Sequence, residues 1–79
     1  MISPRQIRAA RALLDWSQLE LADRAIISLN ALKRLESGRG DPRLSTVLAI
    51  KSALEAAGIE FVSGSGNREG VVLVLPPVT

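Results

Sequence analysis

A chain of 79 residues, of which 47% are hydrophobic, is long enough for one domain with a modest core. It contains no cysteine and no histidine, which excludes a disulfide framework and the commonest zinc sites and fits a reducing cytoplasm. The net charge is +2, but residues 1 to 43 carry eight basic and five acidic side chains, and this uneven distribution mildly favours a polyanionic partner.

Three segments share one helix-start pattern, in which a serine is preceded by an apolar residue and followed by another at the fourth helical position. Such pairs form a hydrophobic staple around a serine N-cap. The pairs are Ile2 and Ile7 around Ser3, Trp16 and Leu21 around Ser17, and Ile27 and Leu32 around Ser28. Gln6 and Glu20 each add a capping box. The pattern predicts helices over 4–14, 18–25 and 29–37, the last closed by Gly38.

A fourth helix is predicted to start near Arg43 to Ser45 and to run to Ala57, where Gly58 ends it. Its apolar stripe consists of Leu44, Val47, Ile50 and Leu54. Residues 59–63 and 71–75 then have the composition of two strands, joined by the loop 64–70 and stopped by Pro76 and Pro77. The sequence therefore predicts a mostly α fold, with a four-helix domain over 1–58 and a C-terminal β-hairpin over 59–79.

The second and third predicted helices are separated only by residues 25–27, which is the spacing of a helix-turn-helix. The stretch QLELADRAIISLNALKRLESGRGDPRL resembles the Xre/Cro-like, lambda repressor-like helix-turn-helix family of bacterial and phage repressors. The matching positions are Ser17-Gln18, Leu21-Ala22, Ser28, Leu32, Leu35-Glu36-Ser37-Gly38 and Asp41-Pro42. The resemblance covers about residues 3 to 57 and implies a regulator that binds double-stranded DNA with the third helix in the major groove.

The resemblance also assigns candidate DNA contacts. Base edges would be read by Leu29, Asn30, Lys33 and Arg34, since leucine covers a thymine methyl, asparagine pairs with adenine and arginine with guanine. The sugar-phosphate backbone would be bound by Gln18, Ser28, Arg39 and Arg43. Arg5 and Arg8 form a basic stripe on the first helix, for which an ordinary solvated face is at least as good an explanation.

Other residues receive structural roles. By resemblance, Arg11 of the first helix pairs with Glu36 at the end of the third, and Trp16 is a core staple. The chain departs from the family at Ile26, where a glycine is usual: the turn is either built with negative φ or strained. It also carries a hairpin where related phage repressors commonly have a fifth helix.

The last strand predicts a homodimer. Val71 to Leu75 is apolar on both faces, a pattern typical of a strand that is covered from both sides. A two-stranded hairpin on a helical domain covers only one face, so we expect a second copy to cover the other. The predicted dimer residues are Phe61, Val71, Val72, Leu73, Val74 and Leu75. The alternative is that this strand folds back on its own helices.

An enzyme is not expected. The loop GSGNREG carries Gly64, Gly66 and Gly70 but lacks the spacing of a dinucleotide-binding motif or a P-loop, and the carboxylates form no paired constellation. No apolar run reaches the roughly 18 residues that cross a bilayer, and no signal peptide is evident, so we expect a cytoplasmic protein without cofactor, metal or evident small-molecule ligand. The alternative function is a protein-interaction module, such as an antitoxin or accessory subunit, that uses mainly the hairpin surface.

Overall fold

Four helices are followed by a two-stranded antiparallel hairpin in the computed structural model, which describes residues 1–64 and 67–77. The elements are α1 (Pro4–Leu14), α2 (Gln18–Ala25), α3 (Leu29–Glu36), α4 (Leu44–Ala56), β1 (Ile59–Gly64) and β2 (Arg68–Leu73). The mostly α fold class is thus confirmed. Within the described residues, no helix is long and apolar enough to cross a membrane.

The core lies where α1, α2, α3 and α4 meet and is closed by the first residue of β1. Helix α2 packs against both α3 and α4, and α1 packs against α3. The buried apolar side chains are Ile7, Ala10, Leu21, Ala22, Ala25, Leu32, Leu35, Val47, Ile50, Leu54 and Ile59. Leu44 was expected in the α4 stripe but is 61% exposed, because it is the first residue of the helix and precedes the turns that face the core.

The helix starts follow the predicted serine caps. The hydroxyl oxygens of Ser3, Ser17 and Ser28 each accept from the backbone amide three residues later, at 3.2, 3.1 and 3.1 Å. Ser3 and Gln6 complete a capping box. Of the second expected box, only the hydrogen bond to the Ser17 hydroxyl is present. The Glu20 carboxylate accepts instead from Arg24 of the next helical turn at 3.1 Å.

After α1, α2 and α3 the chain passes through a residue with positive φ. Asp15, Ile26 and Gly38 have φ of 56°, 56° and 74°. In each case the amide of this residue and the amide of the next one donate back to carbonyls of the helix in the pattern of a Schellman motif. At Ile26 the turn is therefore left-handed, which decides between the two alternatives for this turn in favour of the strained one. Helix α3 ends at Glu36, one residue earlier than predicted, and Gly38 follows its cap residue Ser37.

The hairpin pairs Ile59 with Leu73, Phe61 with Val71 and Gly64 with Arg68. The second strand was predicted over 71–75 but spans Arg68–Leu73. It begins three residues earlier because Glu69 and Gly70 also pair with β1, and it ends two residues earlier. Of the predicted loop 64–70, residues 65 and 66 lie outside the described residues. Ile59, Phe61, Val71 and Leu73 share the face that packs on the helical core.

Helix α1 holds the hairpin through polar contacts that the sequence analysis missed. The Gln6 amide nitrogen, on a side chain that is buried, donates to the carbonyl oxygens of Val62 and Gly70 at 3.2 and 3.0 Å. Arg5, for which a basic stripe and an ordinary solvated face were both open, donates to the Glu69 carboxylate at 2.6 Å. Each strand is thereby tied to the first helix.

The end of α4 requires glycine. Gly58 has a φ of 105°, and a Cβ at this position would lie 2.8 Å from the carbonyl oxygen of Val74. The amide of Val74 donates to the Gly58 carbonyl at 2.8 Å. Any residue with a Cβ at this position would push the segment after β2 away from the start of the hairpin.

Candidate nucleic-acid interface

Helix α3 divides its side chains between the core and an exposed face. Leu32 and Leu35 are buried, whereas Asn30, Lys33 and Arg34 are exposed and Leu29 is half-buried. The division follows from helical periodicity, since residues three and four apart share a face. The exposed face carries one amide and two cations that make no ion pair among the described residues, so it is chemically suited to base edges and phosphates.

Both ends of this helix are fixed by backbone hydrogen bonds. At the start, the Ser28 hydroxyl accepts from the amide of Ala31, and Ser28 itself is exposed. At the end, the amides of Gly38 and Arg39 donate to the carbonyls of Leu35 and Arg34, both at 3.1 Å. A helix of eight residues is short, and these caps compensate for its limited internal hydrogen bonding.

A buried carboxylate anchors the helix to α1. The side chain of Glu36 is 3% exposed, and Arg11 binds it with two hydrogen bonds, from Nε at 2.7 Å and from Nη2 at 2.8 Å. Arg11 also donates to the carbonyl of Trp16 at 3.0 Å. The hydrogen bond to Glu36 raises the pKa of the Arg11 guanidinium. The two residues thus lie in the contact that the resemblance implied.

The same carboxyl group reaches the second helix. Gln18 donates from Nε2 to Glu36 Oε1 at 3.2 Å, and Arg8 donates to the backbone carbonyl of Glu36. Helices α1, α2 and α3 therefore meet at one residue. A side-chain amide has two N–H donors, so the hydrogen bond to Glu36 orients the half-buried Gln18 side chain with only one of its two donors.

A basic depression lies between α3 and α4. It has a volume of about 280 Å³ and is lined by three arginine side chains, those of Arg34, Arg39 and Arg43, with Asp41 as the carboxylate at its wall. Gly40, with φ of 69°, lies so close to Arg34 that a Cβ there would be 3.3 Å from Nη2. Two predicted backbone contacts and one predicted base contact are therefore brought together.

Trp16 is half-buried and packs against the core, as expected of a staple residue. The guanidinium carbon of Arg24 lies 4.4 Å from the centre of its ring, which is a cation–π contact that the sequence analysis missed. A signal was present in the chain, since Arg24 follows Glu20 at the spacing of an ion pair and both belong to the helix that starts beside Trp16.

The six predicted dimer residues do not share one surface. Phe61, Val71 and Leu73 face the helices of their own chain, as the alternative reading of this strand held. Val72 lies on the outer face and is 46% exposed, while Val74 and Leu75, beyond β2, are 51% and 71% exposed. Side chains alternate between the two faces of a strand, so the helices of the same chain cover only one of its faces, and the homodimer stays a prediction.

These features define a helix-turn-helix domain: two short helices joined by a tight turn, with the second exposing polar and basic side chains. The family model described as Helix-turn-helix (HTH_3), which covers Xre and lambda repressor-like domains, matches residues 7–59. The chain belongs to this family of DNA-binding regulatory domains, and the resemblance seen in the sequence is confirmed. A search of curated proteins gives no match. The match ends at the first residue of β1, so almost all of the hairpin lies beyond it.

Proposed function

We propose that this protein is a sequence-specific transcriptional regulator that acts in the cytoplasm by occupying an operator. The observation that carries this proposal is the exposed face of α3, whose amide and cations stand on a helix fixed at both ends. Asn30 would pair with adenine and Arg34 with guanine, while Lys33 reaches a base or phosphate and Leu29 covers a thymine methyl. Each bidentate pair discriminates by roughly 1–3 kcal/mol.

Backbone contacts would place the helix in the groove. Gln18 and Ser28 stand at the starts of α2 and α3, and Arg39 and Arg43 flank the turn after α3. Contacts of this kind fix register and orientation and supply salt-sensitive affinity, but they carry no sequence information. No step of this mechanism requires a catalytic group or a cofactor.

Selection of binding sites from random duplexes tests the readout. Asn30→Ala should relax base preference at one or two positions of the selected site. Arg39→Ala should weaken all sequences alike and reduce the slope of log affinity against log salt by about 1. Arg68→Ala, an exposed arginine of β2, is the matched control and should change neither property. If Asn30→Ala selected the wild-type site as sharply as the wild type does, the assignment of α3 to the groove would be wrong.

We further propose that the regulator binds DNA as a homodimer. Val62 and Val72 are exposed on the outer face of the hairpin, and Val74 continues this apolar surface beyond β2. A second copy would cover it by two-fold symmetry and bring two recognition helices to half-sites about 34 Å apart, or a multiple of that distance.

The same exposed valines favour one alternative, in which the hairpin binds a different protein and the chain is an antitoxin or accessory subunit. Site selection separates the two functions. A regulator enriches a defined sequence, whereas an interaction module with a vestigial DNA surface enriches none.

A further inference from the structure

The basic depression between α3 and α4 brings three arginines to one space, with Asp41 as the carboxylate in its lining. Arg34 comes from α3, Arg39 from the turn and Arg43 from the N-cap of α4. The ion pairs of the described residues involve Arg5, Arg11 and Arg24, and none of them includes these three arginines. Three arginines and one carboxylate leave this space with an excess of positive charge, which a bound anion would offset.

The size of the depression limits what such an anion can be. Its volume of about 280 Å³ is just below the range of about 300–1,000 Å³ typical of small-molecule pockets. Besides the arginines it is lined by the carboxylate residue Asp41, by Thr46, and by the apolar side chains of Ala31, Leu35 and Pro42. Guanidinium groups bind phosphate oxygens in a bidentate manner, so the chemistry fits one phosphate group with a small substituent.

Gly40 matters for this geometry. Its lack of a side chain lets Arg34 lie against the turn, 3.3 Å from the place where a Cβ would be. In this conformation the Arg34 guanidinium belongs to the depression. An anion held there would keep this side chain beside the turn, away from the outer face of α3 on which the base contacts are proposed.

We propose that this depression is a binding site for a single phosphate group, and that a free phosphate or phosphorylated small molecule competes there with the DNA backbone. The competition rests on the proposed function, whereas the site itself does not. A free ligand would occupy Arg39 and Arg43, which are proposed to hold the DNA backbone, and Arg34, which is proposed to read a base. Binding of the ligand would therefore lower affinity for the operator.

The site is tested first without DNA, by titrating inorganic phosphate into the full-length, ¹⁵N-labelled protein while sodium chloride of equal ionic strength is the control. Backbone amide shifts should saturate with phosphate, be confined to residues 34–46 and be absent with chloride. Arg43→Ala should weaken binding at least tenfold, and Arg68→Ala should change it less than twofold. Both arginines are exposed, so we expect both variants to stay folded and their spectra to show it. Shifts that match the chloride control, or equal effects of both variants, would overturn the site.

A second arm separates the two sources of phosphate. Inorganic phosphate is added at constant ionic strength to the complex with a labelled, selected duplex. The apparent Kd for DNA should rise linearly with the phosphate concentration, and it should double at the concentration that half-saturates the free protein. Phosphate that binds the free protein but leaves the apparent Kd unchanged overturns the competition. If the protein binds DNA but no free phosphate, the proposal that a free phosphate compound occupies the depression is wrong. Absence of any DNA binding refutes the proposed function instead, and the first titration still decides the site.

Discussion

Ile26 closes α2 in a conformation that branched side chains disfavour. Its φ of 56° and ψ of 49° lie in the left-handed region, where an L-residue other than glycine costs roughly 1–2 kcal/mol. The side chain is 91% exposed, so little packing offsets this cost. The strain is local to the turn between the two helices of the motif.

Ile26→Gly should therefore stabilise the protein, by about 1 kcal/mol after the larger unfolded-state entropy of glycine is included. For a domain of this size, that corresponds to a rise in Tm of roughly 4–8 °C, measured by circular dichroism. Asp15→Gly is the matched control: it removes a residue with the same φ of 56°, but one that tolerates this region better, so its gain should be smaller. A lower Tm for Ile26→Gly would show that the side chain makes a stabilising contact.

The ion pair between Arg11 and Glu36 gives a second prediction at this scale. Arg11→Ala leaves a carboxylate that is 3% exposed without its bidentate partner, and the free energy of unfolding should fall by roughly 1–3 kcal/mol. Arg8→Ala removes a hydrogen bond to a carbonyl of the same residue but leaves no charge unpaired, so it should cost less. Equal losses in urea unfolding would show that the ion pair adds nothing beyond an ordinary surface contact.

Residue-level predictions succeeded where the interaction is local in sequence. The caps at Ser3, Ser17 and Ser28 follow from residues within one helical turn. The sequence left two alternatives for Ile26, because a turn built with negative φ and a strained one are both compatible with isoleucine. Only the structure of the two flanking helices decides between them.

At the scale of elements, the hairpin is held to α1 by Gln6 and by the ion pair of Arg5 with Glu69. Hydrogen bonds from Arg5 and then from Ser3 keep the pKa of the Glu69 carboxyl below its usual value of 4.5. A pKa that is lower in the folded state means that the ionised form favours folding. This contribution is fully present above pH 4.5 and is lost as the pH falls through the lowered pKa.

Glu69→Gln should therefore flatten the pH dependence of stability below pH 4.5, and should leave the two stability curves parallel at neutral pH. The measurement is thermal unfolding from pH 3 to pH 7, with Glu60→Gln, an exposed carboxylate of β1, as the control. An unchanged slope in Glu69→Gln would mean that the contact with Arg5 does not hold the hairpin in solution.

The hairpin also shows where prediction from sequence reached its limit. Its presence was predicted from composition, but its bounds were not, because Glu69 and Gly70 lack the composition of a strand and belong to one only through pairing with β1. The contact between Arg5 and Glu69 joins residues 64 positions apart, and no local pattern indicates it. The exposure of Leu44 was missed because helical periodicity does not show which turn of α4 is the first to face the core.

At the scale of the whole molecule, the proposed dimer depends on the outer face of the hairpin. Val72→Lys replaces an exposed valine of this face by a charged side chain and should convert the proposed dimer into a monomer, as measured by size-exclusion chromatography with light scattering. Ser63→Lys, at an exposed position of β1, should remain dimeric. A wild-type chain that is monomeric at micromolar concentration contradicts the dimer and leaves the outer face for a different partner.

The four-helix arrangement was predictable as a whole, because the serine caps and the family resemblance agree on where α1, α2 and α3 begin, and apolar periodicity followed by Gly58 indicates α4. The position of the hairpin was not, since it depends on the packing of Phe61, Val71 and Leu73 against helices that precede them in the chain. The convergence of Arg34, Arg39 and Arg43 on one depression likewise arises from the angle between α3 and α4, which no spacing in the sequence specifies.

The central claim is that the exposed face of α3 recognises a particular DNA sequence. The most direct test is fluorescence anisotropy of a selected duplex and of a shuffled duplex with the same composition, titrated with the full-length protein at several salt concentrations. We expect the selected duplex to bind about 10³-fold or more tightly than the shuffled one, with both affinities falling as salt rises. Equal affinities for the two duplexes, or no binding to either at low salt, would contradict the account.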